Sequence, residues 1–179
     1  MSRRKDSRSG PGRLALQDQA DAATSDVNAA NRQFFADQGD YGESRREPWA
    51  APMVDAFRAW VVRTQCRDHC PHIWQTPMLM WRPTVPALLC AECAALPALA
   101  EMGTDENWTC DLCRRLRPEQ DPGFESACVT IPAMADDGSG LVFPPVVIAF
   151  GVCAACRTAG ELHHDLAEIF AGLLNGGRP

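Results

Sequence analysis

The sequence predicts a small α+β protein whose fold is stabilised by metal ions, and three observations lead to this class. The chain has 179 residues, 46% of them hydrophobic, which is enough for one ordinary domain or two very small ones. Nine residues are cysteines, and six of these form three Cys-x-x-Cys units. Segments with helical periodicity alternate with segments rich in β-branched residues, so both helices and strands are expected.

Residues 1–46 are polar, with Gly, Ser, Asp and Gln spread through them. This composition predicts a mostly disordered N-terminal tail. Within the tail, the segment NAANRQFFADQG predicts one short helix that ends at Gly39 and is anchored by Phe34 and Phe35.

The first strong helical pattern follows this tail. Pro52 suits the first turn of a helix, and the apolar residues after it recur at helical spacing. We therefore predict an amphipathic helix from about Pro52 to Gln65, directly before Cys66. Its inward face is formed by Met53, Phe57, Trp60, Val61 and Thr64.

Residues 47–103 are predicted to comprise this helix and a first cysteine-rich unit. Its strand-like segments, WQTPMLMW and RPTVPALL, are short and interrupted by proline, which favours only a short hairpin. The Cys-x-x-Cys unit of Cys90 and Cys93 then begins a short helix that is interrupted by Pro97 and ends at Gly103.

Residues 104–179 are predicted to form a second unit with the same plan. It opens with Cys110 and Cys113 and continues through a hairpin of ACVTI and PVVIAFGV, with DDGSG as turn residues. Cys153 and Cys156 then begin a C-terminal helix. The apolar stripe of that helix is formed by Leu162, Leu166, Ile169, Phe170 and Leu173.

The second unit contains a candidate metal site with four cysteine ligands. Each Cys-x-x-Cys turn directs two sulfurs to one point, and two turns supply a tetrahedral site with Zn–S distances of about 2.3 Å. The ligands are Cys110, Cys113, Cys153 and Cys156. The order of knuckle, hairpin, knuckle and helix is similar to that of treble-clef zinc fingers, in full for this unit and in part for the first. The resemblance implies a fold of two consecutive treble-clef-like units and bound Zn²⁺, but no particular function.

The first unit offers more ligands than one site needs. Cys90 and Cys93 form one half of the site. The candidates for the other half are Cys66, His69, Cys70 and His72. Because Pro71 favours an extended chain at Cys70, and residues two apart in an extended chain face the same side, Cys70 and His72 can converge on one ion. We favour these two, with Cys66 as the main competing ligand and His69 as a further one.

Two groupings of the ligand pairs are possible. In the sequential grouping each unit binds its own ion, whereas in an interleaved, RING-like grouping the first and third pairs share one ion and the second and fourth share the other. The long spacer within the second unit and the repeated plan favour the sequential grouping. We expect two Zn²⁺ ions per chain.

The composition also indicates the cellular compartment of the protein. The start of the chain, MSRRKDSRSGPGR, is basic but lacks the apolar core of a secretory signal, and no run of about 18 apolar residues is present. These features favour the cytoplasm, where thiols bind metals more often than they pair. Lys5 is the single lysine beside 16 arginines, which is typical of a GC-rich bacterial or phage genome, such as that of an actinobacterium.

The charge favours a protein partner over a nucleic acid. The formal net charge is −6, and ligand deprotonation at the two sites brings it to about −9, which disfavours non-specific contact with phosphates. We therefore expect a non-enzymatic adaptor or regulator that acts through protein–protein contacts. The alternative is a nucleic-acid-binding regulator that uses the basic tail and a loop containing Arg114, Arg115 and Arg117.

Patterns of catalytic metal sites are incomplete in this sequence. A catalytic zinc keeps one coordination position open, whereas a site with four protein ligands is structural. The deaminase signature needs a Glu two residues after its His, but Trp74 stands two residues after His72. His163 and His164 are expected on the surface of the C-terminal helix, so we predict no catalytic residues.

Overall fold

The computed structural model describes residues 11–37, 42, 47–102, 104–117, 123–136 and 140–160 of the chain. It shows a mixture of helices and short strands, which confirms the predicted α+β class. The helices are α1 (Pro11–Ala36), α2 (Ala51–Thr64, preceded by a 3-10 turn at Pro48–Ala50), α3 (Ala91–Glu101), a 3-10 helix at Asp105–Trp108, and α4, described over 154–160. The strands are β1 (Leu79–Trp81), β2 (Phe124–Ile131), β3 (Met134–Asp136), β4 (Leu141–Phe143) and β5 (Val146–Cys153).

Three strands form the main sheet in the order β1–β5–β2. β2 pairs with β5 in antiparallel register, with Phe124 opposite Cys153, which confirms the hairpin predicted for the second unit. β3 and β4 form a separate two-stranded sheet within the connection between β2 and β5. The first unit contributes the third strand, because β1 pairs with β5 in parallel, with Leu79 opposite Val146.

The parallel pairing of β1 with β5 joins the two predicted units, residues 47–103 and 104–179, in one sheet. Within the first unit, β1 also forms one antiparallel bridge, between Met80 and Leu89, where a short hairpin was expected. The two cysteine-rich units therefore share one sheet and one hydrophobic core.

α2 covers one face of this sheet. Met53, Phe57 and Trp60 are buried, as the helical spacing predicts, and they pack in one cluster with Ile148 and Val152 of β5. The helix ends where Gln65 adopts a left-handed conformation with φ of 52°. The predicted bounds of this helix are therefore correct to within one residue.

α1 covers part of the opposite sheet face, and it corrects the expected disordered tail. Val27 packs against Cys128 and Val147, while the buried Asn31 side chain donates a hydrogen bond to Thr130 Oγ1 at 3.4 Å. The helix extends over Pro11–Ala36, whereas only a short helix over NAANRQFFADQG was predicted; Gly39, its predicted end, lies outside the described residues. Sequence reasoning missed it because the packed face is formed by small and polar residues, which give a weak apolar stripe. Residues 1–10 lie outside the described part of the chain.

A helix begins at each of the two Cys-x-x-Cys units for which one was predicted. α3 continues through Pro97, at the cost of one backbone hydrogen bond to the carbonyl of Cys93. α4 closely approaches the 3-10 turn that precedes α2, because a Cβ placed on Gly160 would lie 2.5 Å from Cβ of Trp49. The predicted apolar stripe from Leu162 to Leu173 lies outside the described residues.

Candidate metal centres

The structure brings together the four residues favoured for the first site. The ligand atoms of the cluster lie within 4.8 Å of one another, and the cluster consists of Cys70, His72, Cys90 and Cys93. His72 Nδ1 lies 3.5 Å from Cys93 Sγ and 3.7 Å from Cys90 Sγ, so this ring nitrogen faces the sulfurs. Cys70 and Cys90 are buried, whereas His72 is exposed. One side of the first centre therefore faces solvent.

Backbone hydrogen bonds hold the two halves of the first centre together. The amide of Cys70 donates to the carbonyl of Leu88 at 2.9 Å, and the amide of Cys90 donates to Cys70 Sγ at 3.2 Å. Cys90 is also the N-cap of α3, where its Sγ accepts from the amide of Cys93 at 3.5 Å. These bonds join the loop after α2 to the start of α3. They also direct the positive ends of backbone N–H dipoles at the sulfurs of Cys70 and Cys90.

The competing ligands of the first site lie outside this cluster. Cys66 follows the left-handed Gln65 at the end of α2, has a positive φ of 54° itself, and packs against the hydrophobic core. His69 uses Nδ1 in a 2.9 Å hydrogen bond with the carbonyl oxygen of Cys70. The geometry therefore groups Cys70 and His72, and not Cys66 or His69, with the Cys-x-x-Cys of α3.

The second centre consists of Cys110, Cys113, Cys153 and Cys156, whose sulfurs again lie within 4.8 Å of one another. Cys110 and Cys113 lie on a tight turn, in which the amide of Arg114 donates to the carbonyl of Cys110 at 2.8 Å. Cys153 is the last residue of β5, and Cys156 lies in the first turn of α4. Each unit thus gathers its own ligands, which is the sequential grouping and not the interleaved one.

The thiols of the second centre differ in acidity. Burial, followed by hydrogen bonds to the neighbouring thiols, raises the pKa of Cys156. Burial acts in the same direction at Cys113, but hydrogen bonds from the amide of Arg115 and from nearby thiols outweigh it and lower the pKa to about 7. Because neighbouring thiolates repel each other, deprotonation of all four thiols requires a cation between them.

Arg117 has a role that sequence reasoning missed. In the nucleic-acid-binding alternative Arg117 would contact phosphates, but its guanidinium donates a hydrogen bond to Cys153 Sγ at 3.1 Å. Arg114 pairs with Glu106 at 2.7 Å and with Asp111 at 3.1 Å. Of the three arginines expected to contact phosphates, Arg115 alone is exposed without a side-chain contact among the described residues. No local pattern could have revealed the Arg117 contact, because Cys153 is 36 residues away.

Asp111, between the two cysteines of the 110–113 turn, anchors that turn to β5. Its carboxylate accepts a hydrogen bond from the amide of Gly151 at 2.7 Å, and its own amide donates to the carbonyl of Gly151 at 2.9 Å. Burial raises the pKa of Asp111, although the Gly151 amide favours the charged carboxylate. The position of the second centre is therefore fixed by the main sheet as well as by its own ligands.

Both donor sets suit a soft or borderline metal ion. Thiolate and imidazole ligands select ions such as Zn²⁺, Cu⁺ or iron in clusters, and disfavour Mg²⁺ and Ca²⁺. Each cluster supplies four protein ligands, enough to complete a tetrahedral coordination sphere. His163 and His164 lie outside the described residues.

Comparison with known proteins finds no matching family model, no matching curated protein and no matching solved structure. Within the described ranges, no α-helix combines the length and the apolar character needed to cross a bilayer. The resemblance to treble-clef zinc fingers therefore stays a prediction that rests on ligand order and spacing.

Proposed function

We propose that the protein binds two structural Zn²⁺ ions and acts as a non-enzymatic adaptor or regulator through protein–protein contacts. The observation that carries this proposal is the pair of clusters, each with four protein ligands. Three thiolates with one imidazole, and four thiolates, are donor sets typical of structural zinc sites. A filled coordination sphere has no position for a substrate or an activated water, which favours a structural role.

The two ions stabilise parts of the chain that have little core of their own. The first centre joins the loop after α2 to α3, and the second joins the 110–113 turn to the end of β5. α3 has a single buried residue, Ala94, and the 3-10 helix Asp105–Trp108 has none. Structural zinc contributes on the order of 10 kcal/mol to such segments, which is comparable to the whole stability of a small domain.

The surface charge supports a protein partner. From Pro83 to Cys113 the chain contains five acidic residues and no lysine or arginine. Bound zinc with its thiolates leaves an additional negative charge at each centre. Such a surface repels phosphate backbones, and the internal contacts of Arg114 and Arg117 weaken the case for the nucleic-acid-binding alternative.

The cysteines support a reducing compartment, and we propose the cytoplasm. All nine are free in the structure. Free thiols persist where glutathione and thioredoxin keep them reduced, and such thiols are available as metal ligands.

The proposal is tested by metal content and by nucleic-acid binding. Elemental analysis of protein purified without chelators should give two zinc per chain, and fewer than about 1.5 would contradict the proposal. A mobility-shift assay at several salt concentrations should show no shift of DNA or RNA. A salt-dependent shift that disappears when Arg114, Arg115 and Arg117 are replaced by Ala would instead support the nucleic-acid-binding alternative.

A further inference from the structure

The two metal centres have the same pattern of burial. In each centre, the first and third ligands along the chain are buried, the second is exposed and the fourth is half-buried. The exposed ligand is His72 in the first centre and Cys113 in the second. The same solvent-facing position is therefore held by an imidazole in one centre and by a thiol in the other.

Cys113 is the most accessible sulfur of the two centres. Of the seven cysteines in the clusters, it alone is exposed, whereas Cys110 and Cys153 are 0% and 1% exposed and Cys156 is half-buried. Redox-sensitive cysteines combine thiolate character, access to solvent and a second thiol nearby. A cysteine that serves as a metal ligand is a thiolate, so Cys113 meets the first two conditions in the metal-bound protein.

Cys110 supplies the second thiol. It lies three residues before Cys113 on a tight turn, in which the amide of Arg114 donates to the carbonyl of Cys110 at 2.8 Å. The sulfurs of Cys110 and Cys113 lie within 4.8 Å of each other, and a disulfide requires about 2.0 Å. Rotation of the exposed Cys113 side chain can close this gap, because solvent and not packed protein surrounds it.

We propose that Cys113 is a site of oxidation by hydroperoxides, and that the resulting disulfide with Cys110 releases the ion of the second centre. This inference rests on the proposed function, because it concerns one of the two zinc ions. It assigns different roles to the two centres, one that holds its ion permanently and one that loses its ion under oxidation.

The oxidation takes place in two steps. The Cys113 thiolate attacks one oxygen of the hydroperoxide and breaks the O–O bond, which gives a sulfenic acid and an alcohol, or water when the oxidant is hydrogen peroxide. The Cys110 thiolate then attacks the Cys113 sulfur and expels hydroxide. Two thiolates are thereby oxidised to one disulfide, the hydroperoxide is reduced by two electrons, and water supplies the two protons that the products take up.

The two centres respond differently to this chemistry. After oxidation the second centre retains only Cys153 and Cys156 as ligands, and two ligands are too few for a tight tetrahedral site. In the first centre the exposed position carries His72, whose imidazole has no thiol with which to begin the same reaction, and the sulfurs are buried or half-buried. The first ion is therefore retained while the second is released.

The 110–113 turn keeps its attachment to the sheet when the ion leaves. The carboxylate of Asp111 accepts from the amide of Gly151 at 2.7 Å, and the amide of Asp111 donates to the carbonyl of Gly151 at 2.9 Å. These bonds involve no sulfur, so a disulfide within the turn does not break them. The oxidised turn stays near Cys153, and a dithiol reductant, itself oxidised to a disulfide, can restore all four ligands.

The test measures zinc release from the full chain purified with two zinc ions. Hydrogen peroxide is added in the presence of a colorimetric zinc indicator, and the oxidised protein is digested and analysed by mass spectrometry. One of the two ions should be released, and the digest should contain a disulfide between Cys110 and Cys113. Dithiothreitol and added zinc should then restore two ions per chain.

Exchange of the exposed ligands gives a matched pair of variants. Cys113→His gives the second centre the donor set of the first, and peroxide should then release its ion at least about tenfold more slowly. His72→Cys gives the first centre the donor set of the second, and peroxide should then release both ions. Each variant keeps four zinc ligands, and both positions are exposed, so neither exchange should alter folding.

Several results would overturn this inference. They are release of both ions from the unaltered chain at the same rate, a disulfide that excludes Cys113, equal release rates in Cys113→His and the unaltered chain, or zinc loss that dithiothreitol does not reverse. If Cys113→His fails to hold two ions, the disulfide found in the unaltered chain decides. A chain that carries two zinc ions and keeps both in peroxide refutes the oxidation site alone, whereas a chain purified without zinc refutes the proposed function.

Discussion

Replacement of Cys153 by serine tests the second metal centre most directly. Cys153 is 1% exposed, ends β5, and supplies one of four sulfurs to the cluster. A serine hydroxyl is a poor zinc ligand, so the site loses a ligand and keeps three clustered thiols, of which only Cys110 is buried. We expect zinc content to fall from two ions to one per chain in Cys153→Ser.

The expected loss of stability is large. Structural zinc binding contributes on the order of 10 kcal/mol in small domains, and a domain of this size is stable by about 5–15 kcal/mol. Even a partial loss of about 4 kcal/mol would lower the melting temperature by roughly 10 °C, since each kcal/mol corresponds to about 2–4 °C in a chain of this length. The loss of stability should affect β2, β5 and α4, which meet at the second centre.

Cys128→Ser is the matched control. Cys128 is 0% exposed and lies on β2 opposite Ala149 of β5, but it belongs to neither cluster. The same change of sulfur to oxygen at this buried strand position should cost about 1–2 kcal/mol and leave zinc content at two. Calorimetry and elemental analysis of both variants provide the comparison. An unchanged melting curve with full zinc content in Cys153→Ser would refute the role of the second cluster.

Three further predictions concern contacts of the second metal centre and of the main sheet. Burial raises the pKa of Cys153, but hydrogen bonds, including that from Arg117, outweigh burial and hold the pKa below its ordinary value. The thiolate therefore contributes stability that is lost as the pH falls, and Arg117→Met should move zinc release to higher pH by a few tenths of a unit. A colorimetric zinc indicator would follow this release, with the exposed Arg115→Met as control. In Gly151→Ala, the new Cβ would lie 2.5 Å from Phe124 Cζ, and urea unfolding should show a loss of about 1–3 kcal/mol; a loss near zero would contradict this packing. In Asn31→Ala, loss of the buried hydrogen bond to Thr130 should cost about 1 kcal/mol, whereas the exposed Gln33→Ala should cost little. Equal stability of these two variants would argue against the docking of α1 on the sheet.

Local patterns were sufficient to predict α2, the β2–β5 hairpin and the grouping of the cysteines. The apolar face of α2 repeats every three to four residues, so its bounds follow from the sequence. The spacing of each Cys-x-x-Cys fixes which sulfurs meet on one turn. In the first unit, Pro71 favours an extended chain at Cys70, and this indicated that Cys70 and His72 are the ligands that join the Cys-x-x-Cys of α3.

The features that sequence reasoning missed all depend on distant or polar contacts. The pairing of β1 with β5 joins Leu79 to Val146, and no short-range pattern specifies such a parallel pair. α1 packs through Thr24, Val27 and Asn31, so it lacks the apolar stripe by which helices are recognised. The contacts of Arg117 and Asp111 with the second centre likewise arise only after the sheet has formed.

The parallel pairing of β1 with β5 has a consequence for synthesis on the ribosome. β1 belongs to the first half of the chain, but its only neighbour in the main sheet is β5, whose last residue is a ligand of the second centre. Contacts between segments so far apart in sequence form slowly, and they cannot form before the later segment is translated. The nascent first centre would thus gather its ligands beside an unpaired strand. We expect the complete main sheet, and with it the capture of the second ion, to be a late event that follows release of β5 from the exit tunnel.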